Sequence, residues 1–438
     1  MVRYVNDNLV FECAQRSSGE CVVTISVKQP LVDSLYNHVM FDQRKRVQAE
    51  GFVKGNVPLS YIESTCKQGL LEHLKEFFFN HSIVTFLCEE LYAQKIIVAG
   101  EPILENISVE PSQNASFVFS FKSIIPDIKN EWKKFPFKSP VRKNYKDLDR
   151  QVETFLQGEE EKRNTFNAGS GIQRSDWILC LINVVEDSAS KHYISLATYK
   201  SPVWLKIGRE DQDREAQELF IGKNVGDTFT TESNFLQQYF SKQLDTTYLF
   251  EISILDRVPT GIFSLDLFKH HFRLKSAKEL HQKFIEIFSF RNDLSQRREI
   301  VDSALKTLLK NCHLNLPEAL VTQQEQVILK ALRKNPDYPV YKAESGFNRK
   351  ITLLAEKQLK ETILIDHIAH QEHIAISPDD VRGYFNILSR PRTKEFIHFC
   401  LPQTQLSGQE QPIPAGIIHQ ACTREKTLNY AIQKLING

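Results

Sequence analysis

CVVTISVK at 21–28 alternates, with Val23, Ile25 and Val27 on one side. That is the pattern of a half-buried strand. Pro30 then opens a helical stripe in which Leu31, Leu35 and Val39 recur four apart, with Val32 and Tyr36 beside them. The stripe ends in Arg44, Lys45 and Arg46, cations that suit the negative end of a helix dipole. GFVKGNVP at 51–58 interrupts with two glycines and a proline, which predicts a loop. From Pro58 a longer helix is predicted through Leu70, Leu71, Leu74, Phe77 and Phe78 to about Leu91. Phe117, Phe119 and Phe121 alternate again, as in a strand. Residues 1–126 therefore predict an α+β domain with a helix–loop–helix at its middle.

The pattern then changes. Residues 127–150 hold eight basic and four acidic residues, with prolines at 136 and 140 and no apolar period, which predicts an extended linker. Leu148, Val152, Phe155 and Leu156 restore a helical stripe, and Gly169, Ser170 and Gly171 read as a joint after it. SDWILCLINVVE, PVWLKIG and TTYLFEISILDRV are three β-runs, and IGKNVGD at 221–227 is a glycine turn. Residues 166–258 thus predict a small antiparallel sheet domain, reached through the 127–165 linker and connecting helix. From 259 to 438 the period is helical. Phe284, Ile287 and Phe288 form one stripe, and Ile300, Leu305, Leu308 and Leu309 another. Leu316-Pro317-Glu318 starts a helix, Ile351 to Ile365 forms a longer one, and Ser377-Pro378-Asp379-Asp380 is close to a capping box. No internal repeat is visible.

Composition narrows the function classes. Lys and Arg number 55 against 54 Asp and Glu, so contact with a polyanion has to come from a local patch. Only 17 glycines occur in 438 residues, which disfavours large glycine-rich nucleotide folds. The eight cysteines, at 13, 21, 66, 88, 180, 312, 400 and 422, form no CxxC and no zinc spacing. They read as free thiols in a reducing compartment. The N-terminus MVRYVNDNLVFECAQ has no signal-peptide core, and no run approaches the ~18 apolar residues of a membrane span. The expectation is a cytoplasmic chain with no membrane contact. GxxxxGK[ST], GxGxxG, GxSxG and HExxH are all absent. HIAHQEH at 367–373 puts its third histidine ~120° away from its first on a helix, so neither a metal nor another cofactor is expected.

GFVKGNVP carries the chemistry. A glycine-hinged tip that projects Phe52 and Lys54, with Arg44, Lys45 and Arg46 nearby, offers an aromatic and cations on one rigid loop. Such a tip can grip a phosphate backbone and a protein surface together. GFVKGNVPLSYI resembles the GFRxGKxP signature of the trigger factor family, bacterial ribosome-associated chaperones. The order of elements is similar over nearly the whole chain. FVFSFKSIIPDI, LLKNCHLNLPEALVTQQ and LAEKQLKETILIDHIAHQEHIAISPDDV resemble further stretches of the family, whereas QTQLSGQEQPIPAG near the C-terminus reads as an insertion.

The resemblance implies an α+β multidomain chain. Its parts would be an N-terminal ribosome-binding domain, an FKBP-like antiparallel β domain and an all-α C-terminal domain with extended arms. It implies docking at the exit tunnel of the large ribosomal subunit, on protein and rRNA, through Gly51, Phe52, Lys54 and Gly55 with Arg44, Lys45 and Arg46. Clients would be unfolded nascent polypeptides, held by apolar residues such as Phe396 and Phe399. Peptidyl-prolyl isomerase activity is implied too, with Leu181, Phe235, Tyr239 and Phe250 as the pocket. Whether the free protein is a homodimer stays open. The chain departs from the family at Val53 and Asn56, where the loop signature has cations. It departs again at Asp213 and Ala216, where the isomerase pocket signature has an apolar and an aromatic residue. Two alternatives follow: a holdase that works without the ribosome, and a proline isomerase whose helical domain delivers substrate.

Overall fold

The computed structural model describes residues 2–5, 8–17, 19–128, 131–141, 146–165, 171–185, 202–241, 246–291, 294–401, 405–406 and 408–437. Part of the predicted joint, Gly169 and Ser170, lies outside them, as do Arg142 and Lys143 of the linker.

Strands β1 (Val2–Val5), β2 (Leu9–Ser17), β3 (Glu20–Val27), β4 (Ala99–Ser108) and β5 (Ala115–Lys122) form one antiparallel sheet in the order β1-β2-β3-β5-β4. Alternation puts Phe11, Val23, Ile25, Val27, Phe117 and Phe119 on one buried face. Helix α1 (Gln29–Arg46) covers that face with Leu31, Val32, Leu35 and Val39. Helix α2 (Leu59–Phe78) runs through one π turn, Phe79–Ile83, into α3 (Val84–Ala93). Phe86 of α3 meets Phe11 edge-on at 6.4 Å.

A second antiparallel sheet is built from Trp177–Val185, Val203–Lys206, Thr228–Thr231 and Leu249–Val258, with helices Arg214–Phe220 and Asn234–Phe240 beside it. Its outermost strand, Ile413–Pro414, arrives from the C-terminal part of the chain and pairs with Val203 and Trp204. The apolar core of this sheet is continuous with that of the first.

The remaining chain is helical. Helix α4 (Lys146–Thr165) buries Leu148 and Val152 and sets Phe155 against Phe263, Phe284 and Phe288. Ser377 caps the helix Pro378–Leu388 in a full capping box with Asp380, as its sequence predicts. Helices Glu318–Leu332 and Phe347–Gln371 pair as a hairpin arm, whose base rests on the first sheet through Leu320, Ile97 and Ala99. The C-terminal helix Ala415–Asn437 threads the helical core.

The stretch after residue 126 is not a free linker. Trp132 is fully buried, Asp127–Ile128 pairs with Cys312–His313, and Lys133 holds Glu372 at 2.7 Å. Apolar residues among the charges, not the charges, decide the path of this segment.

Candidate functional site

The 51–58 loop is built from two consecutive turns. The Phe52 amide donates to the Ala49 carbonyl (3.1 Å) and the Asn56 amide to the Val53 carbonyl (2.9 Å). Gly51 and Gly55 sit third in these turns with φ of +84° and +86°. Open space surrounds both glycines, so it is the backbone angle that calls for glycine. Val57 is fully buried and plugs the loop into the sheet core, and Pro58 leads into α2. Between these anchors the tip stands clear. Phe52 is 44% exposed and Val53 73%, and Lys54 is exposed beside them. The Phe52 ring leans on Tyr61 of α2 at 5.9 Å. Phe41 of α1 is also exposed, at 47%.

The basic run divides. Lys45 is exposed. Arg44 is half-buried, with its Nε shielded from solvent and unpartnered. Arg46 turns to the second sheet, where it donates to the Thr247 hydroxyl and pairs with Asp42 at 3.2 Å. Asp42 also accepts the Thr247 amide (2.9 Å), and Gln43 donates to the Thr246 hydroxyl (3.1 Å). Of the three cations read from the sequence as one patch, the structure leaves only Lys45 fully on the free face of the loop-bearing domain.

Of the residues expected to line an isomerase pocket, Phe235, Tyr239 and Phe250 belong to one apolar cluster, whereas Leu181 lies on the other face of its strand, opposite Ser253. Phe250 is fully buried, Phe235 is buried, Tyr239 is half-buried, and Leu181 lies half-buried on the strand that pairs with Leu249–Val258. Phe250 meets Phe240 at 5.5 Å, and Phe240 meets Phe77 of α2 at 5.6 Å. Asn80 donates to the Phe240 carbonyl (3.0 Å), and His81 Nε2 lies 3.3 Å from the Ile182 carbonyl. Tyr248 is sandwiched between the rings of His38 (5.3 Å) and His73 (5.7 Å), with its hydroxyl 2.5 Å from His73 Nε2. Phe240 and Tyr248, which both neighbour Phe250, are thus packed under Phe77 and His73 of α2 and, at Tyr248, His38 of α1. Burial pushes His73 and His81 each from 6.5 down to about 4, and lowers His38 as well. Burial raises the Tyr239 phenol.

Asp213 is fully buried at the start of its short helix. Its Oδ1 accepts the Glu410 amide at 2.8 Å, and its carboxyl packs onto Gly208, where a Cβ would lie 1.7 Å from Oδ2. The acid that breaks the pocket signature therefore anchors a distant piece of chain.

Phe396 and Phe399 do not face outward. Phe396 is buried 5.9 Å from Phe272, and Phe399 is partly buried, its carbonyl bonded to the Tyr384 hydroxyl. The exposed apolar residues of the arm are others: Val340 (65%), Tyr341, Leu353 (57%) and Leu354. For Leu353 the signal was its place beside Leu354 in TLLAEK, off the stripe that Ile351, Leu354 and Leu359 form; Val340 and Tyr341 left none. Of HIAHQEH, His367 and His370 border a cleft of about 640 Å³ shared with Cys13, Cys21 and Ile97. No three metal-binding side chains come together among the described residues. Within them, no helix is long and apolar enough to cross a membrane.

A loop-bearing α+β domain, an antiparallel sheet and a helical part with an arm make this a multidomain protein of mixed helix and sheet. Two models of one family match it: bacterial trigger factor protein over residues 12–155, and the bacterial trigger factor C-terminus over 276–401. The chain belongs to the trigger factor family. Trigger factor of Rickettsia massiliae (strain Mtu5) is 22% identical over 377 residues, spanning 82% of this chain and 80% of that protein. Trigger factor of Geobacter metallireducens is 20% identical over 440 residues, spanning 96% of each. A solved trigger factor chaperone spans 97% of this chain and 99% of its own at 13% identity, with a TM-score of 0.38. That score carries no argument about shape.

Proposed function

We propose that this protein docks on the large ribosomal subunit near the exit tunnel, in the cytoplasm, and holds unfolded nascent chains until they can bury their own apolar surface. The observation that supports docking is the loop tip: Phe52, Val53 and Lys54 stand out from two glycine turns pinned at Val57. The tip is stiff, so little ordering entropy is lost on contact. Its charge is a single lysine, with Lys45 next to it, so apolar contact with ribosomal protein carries more of the grip than phosphate contact. Clients are held by scattered apolar residues on the arm, Val340, Tyr341, Leu353 and Leu354. Such contacts tolerate many sequences and require no reacting group. Prolyl isomerisation is left out of this proposal, because Asp213 and Ala216 stand where the pocket signature has an apolar and an aromatic residue, and Asp213 is bound instead to the Glu410 amide.

The test is co-sedimentation with ribosomes over a salt series. Replacing Phe52 and Lys54 together by alanine leaves both glycine turns intact. It removes one charge-assisted contact and one buried ring, and weakens binding at least ~tenfold. Undiminished binding by that variant places the docking surface elsewhere and overturns the proposal.

A further inference from the structure

The second sheet is completed by a piece of chain from far away in sequence. Gln405–Leu406 and Gln409–Glu410 pair as a small hairpin, and Ile413–Pro414 then lies along Val203–Trp204 as the edge strand. Four contacts seat the segment. The Glu410 amide donates to Asp213 Oδ1 at 2.8 Å, and the Glu410 carboxylate takes Lys206 Nζ at 2.9 Å. The Ala415 amide donates to the Pro202 carbonyl at 3.0 Å. Ile413 is buried among Trp204, Phe385 and Ile418.

The seat is specific, but the ladder is short. Val203–Lys206 offers a four-residue edge, of which only Val203 and Trp204 are paired on that side. Pro412 and Pro414 flank Ile413, and neither has an amide hydrogen to give. An edge strand paired through so few bonds remains a template for another extended segment. The requirements for a replacement can be read from the present occupant: extended backbone, a carboxylate for Lys206, a main-chain amide for Asp213, and a branched aliphatic residue three positions after the acid. A segment that meets these and lacks the prolines would pair with Leu205 and Lys206 as well.

We propose that the Val203–Lys206 edge, with Asp213 and Lys206, is a peptide-docking site held in this state by the chain's own segment Gln409–Ala415. Extended acidic–aliphatic polypeptide segments exchange with it. The source of such segments rests on the chaperone reading, but the site itself does not. The site is distinct from the aromatic cluster around Phe250, since it recognises main chain and a carboxylate and not a proline ring. Its occupation also decides whether the second sheet stays strapped to the helical part through Ile413.

The test uses the full-length protein and a fluorescein-labelled peptide of residues 409–415, QEQPIPA, followed by anisotropy. Glu410→Lys with Ile413→Ala loosens the resident segment, and this variant binds the peptide at least tenfold more tightly than the unaltered protein. A peptide with Lys for the acid and Asp for the isoleucine binds neither. Equal affinity of the two proteins for QEQPIPA, or of the two peptides for the variant, overturns the proposal. A second measurement needs no variant and decides the matter if the variant fails to fold. In native-state hydrogen exchange, the Glu410 amide exchanges at least tenfold faster than the amides of Ile182 and Ile252 in the central strands. Exchange of Glu410 as slow as theirs means that the segment leaves only on unfolding, and the site is then not exchangeable. Neither measurement involves ribosomes, so failure here leaves the docking proposal standing, and failure of ribosome binding leaves this one standing.

Discussion

Acid opens the contact between the loop-bearing domain and the second sheet. His73 and His81 are held neutral there, each depressed by burial from 6.5 to about 4. A base with a lowered folded pKa binds fewer protons folded than unfolded. Its contribution to stability is fully present above pH 6.5 and is lost as the pH falls from 6.5 to about 4. From about pH 7.5 to about pH 5, each such group costs about 2 kcal/mol, and the two together about 4 kcal/mol if they titrate independently. His38, on the other side of Tyr248, is lowered in the same direction, with Asp42 opposing and Lys45 reinforcing the shift. His271 is also pushed down, to about 3, but in the helical part beside Asn429, so the readout has to be local. The assay is hydrogen exchange resolved to peptides from Leu59–Phe78 and Leu249–Val258, corrected for the intrinsic pH dependence of exchange. The free energy of opening these two elements should fall by about 4 kcal/mol over that interval. In a variant with Phe at both 73 and 81, which keeps rings against Phe77 but cannot titrate, most of the pH dependence should vanish. If the double variant keeps the full pH dependence, or if the unaltered protein shows none, the buried histidines are not what couples this contact to acid.

Three further outcomes follow from the packing. Gly208→Ala drives a Cβ into the Asp213 carboxyl and should cost about 1–3 kcal/mol in thermal unfolding; adding Asp213→Ala should recover part of that loss by removing the obstacle. Arg390→Ala removes the fork that grips both oxygens of buried Glu159 (2.7–3.1 Å) and bonds the Thr260 carbonyl, leaving that acid to Lys162 alone; the melting temperature should fall as expected for about 3 kcal/mol. Leu353→Ser should weaken suppression of aggregation of a denatured model client while unfolding by urea shifts by less than about 1 kcal/mol, because that side chain is largely solvated already.

Alternation and helical period were strong where one face of an element is buried. CVVTISVK, the stripe after Pro30, the three β-runs between 175 and 258 and the box at Ser377 all read directly. Strand β4 did not, because AGEPILENIS buries only Ala99 fully and its alternation carries little apolar contrast. Single-sequence periodicity also cannot tell which partner a buried face meets. Phe77 reads as part of one helix's apolar stripe, yet with His73 and His81 it closes over the second sheet. That long-range pairing is why the burial of Phe235 and Phe250 against α2's neighbours could not be read from their own segments. The 51–58 loop was legible because a φ > 0 turn leaves glycines behind as a local mark. Arg46 was misgrouped with its neighbours because charge alone does not reveal a partner some 200 positions away, at Thr247.

The uninterrupted core between the two sheets limits how this chain can be cut and recombined. Excising residues 166–258 would leave one flank of α2 bare, with Phe77 and His81 in water and Asn80 without the carbonyl it now serves. A loop-bearing fragment prepared alone would need those positions recoloured with polar residues to stay monodisperse. Grafting a relative's sheet onto this chain would fail for the mirror-image reason, unless that sheet brought its own complement to α2 and an edge able to accept the strand at Ile413. The two parts have to be inherited, exchanged or redesigned as a pair.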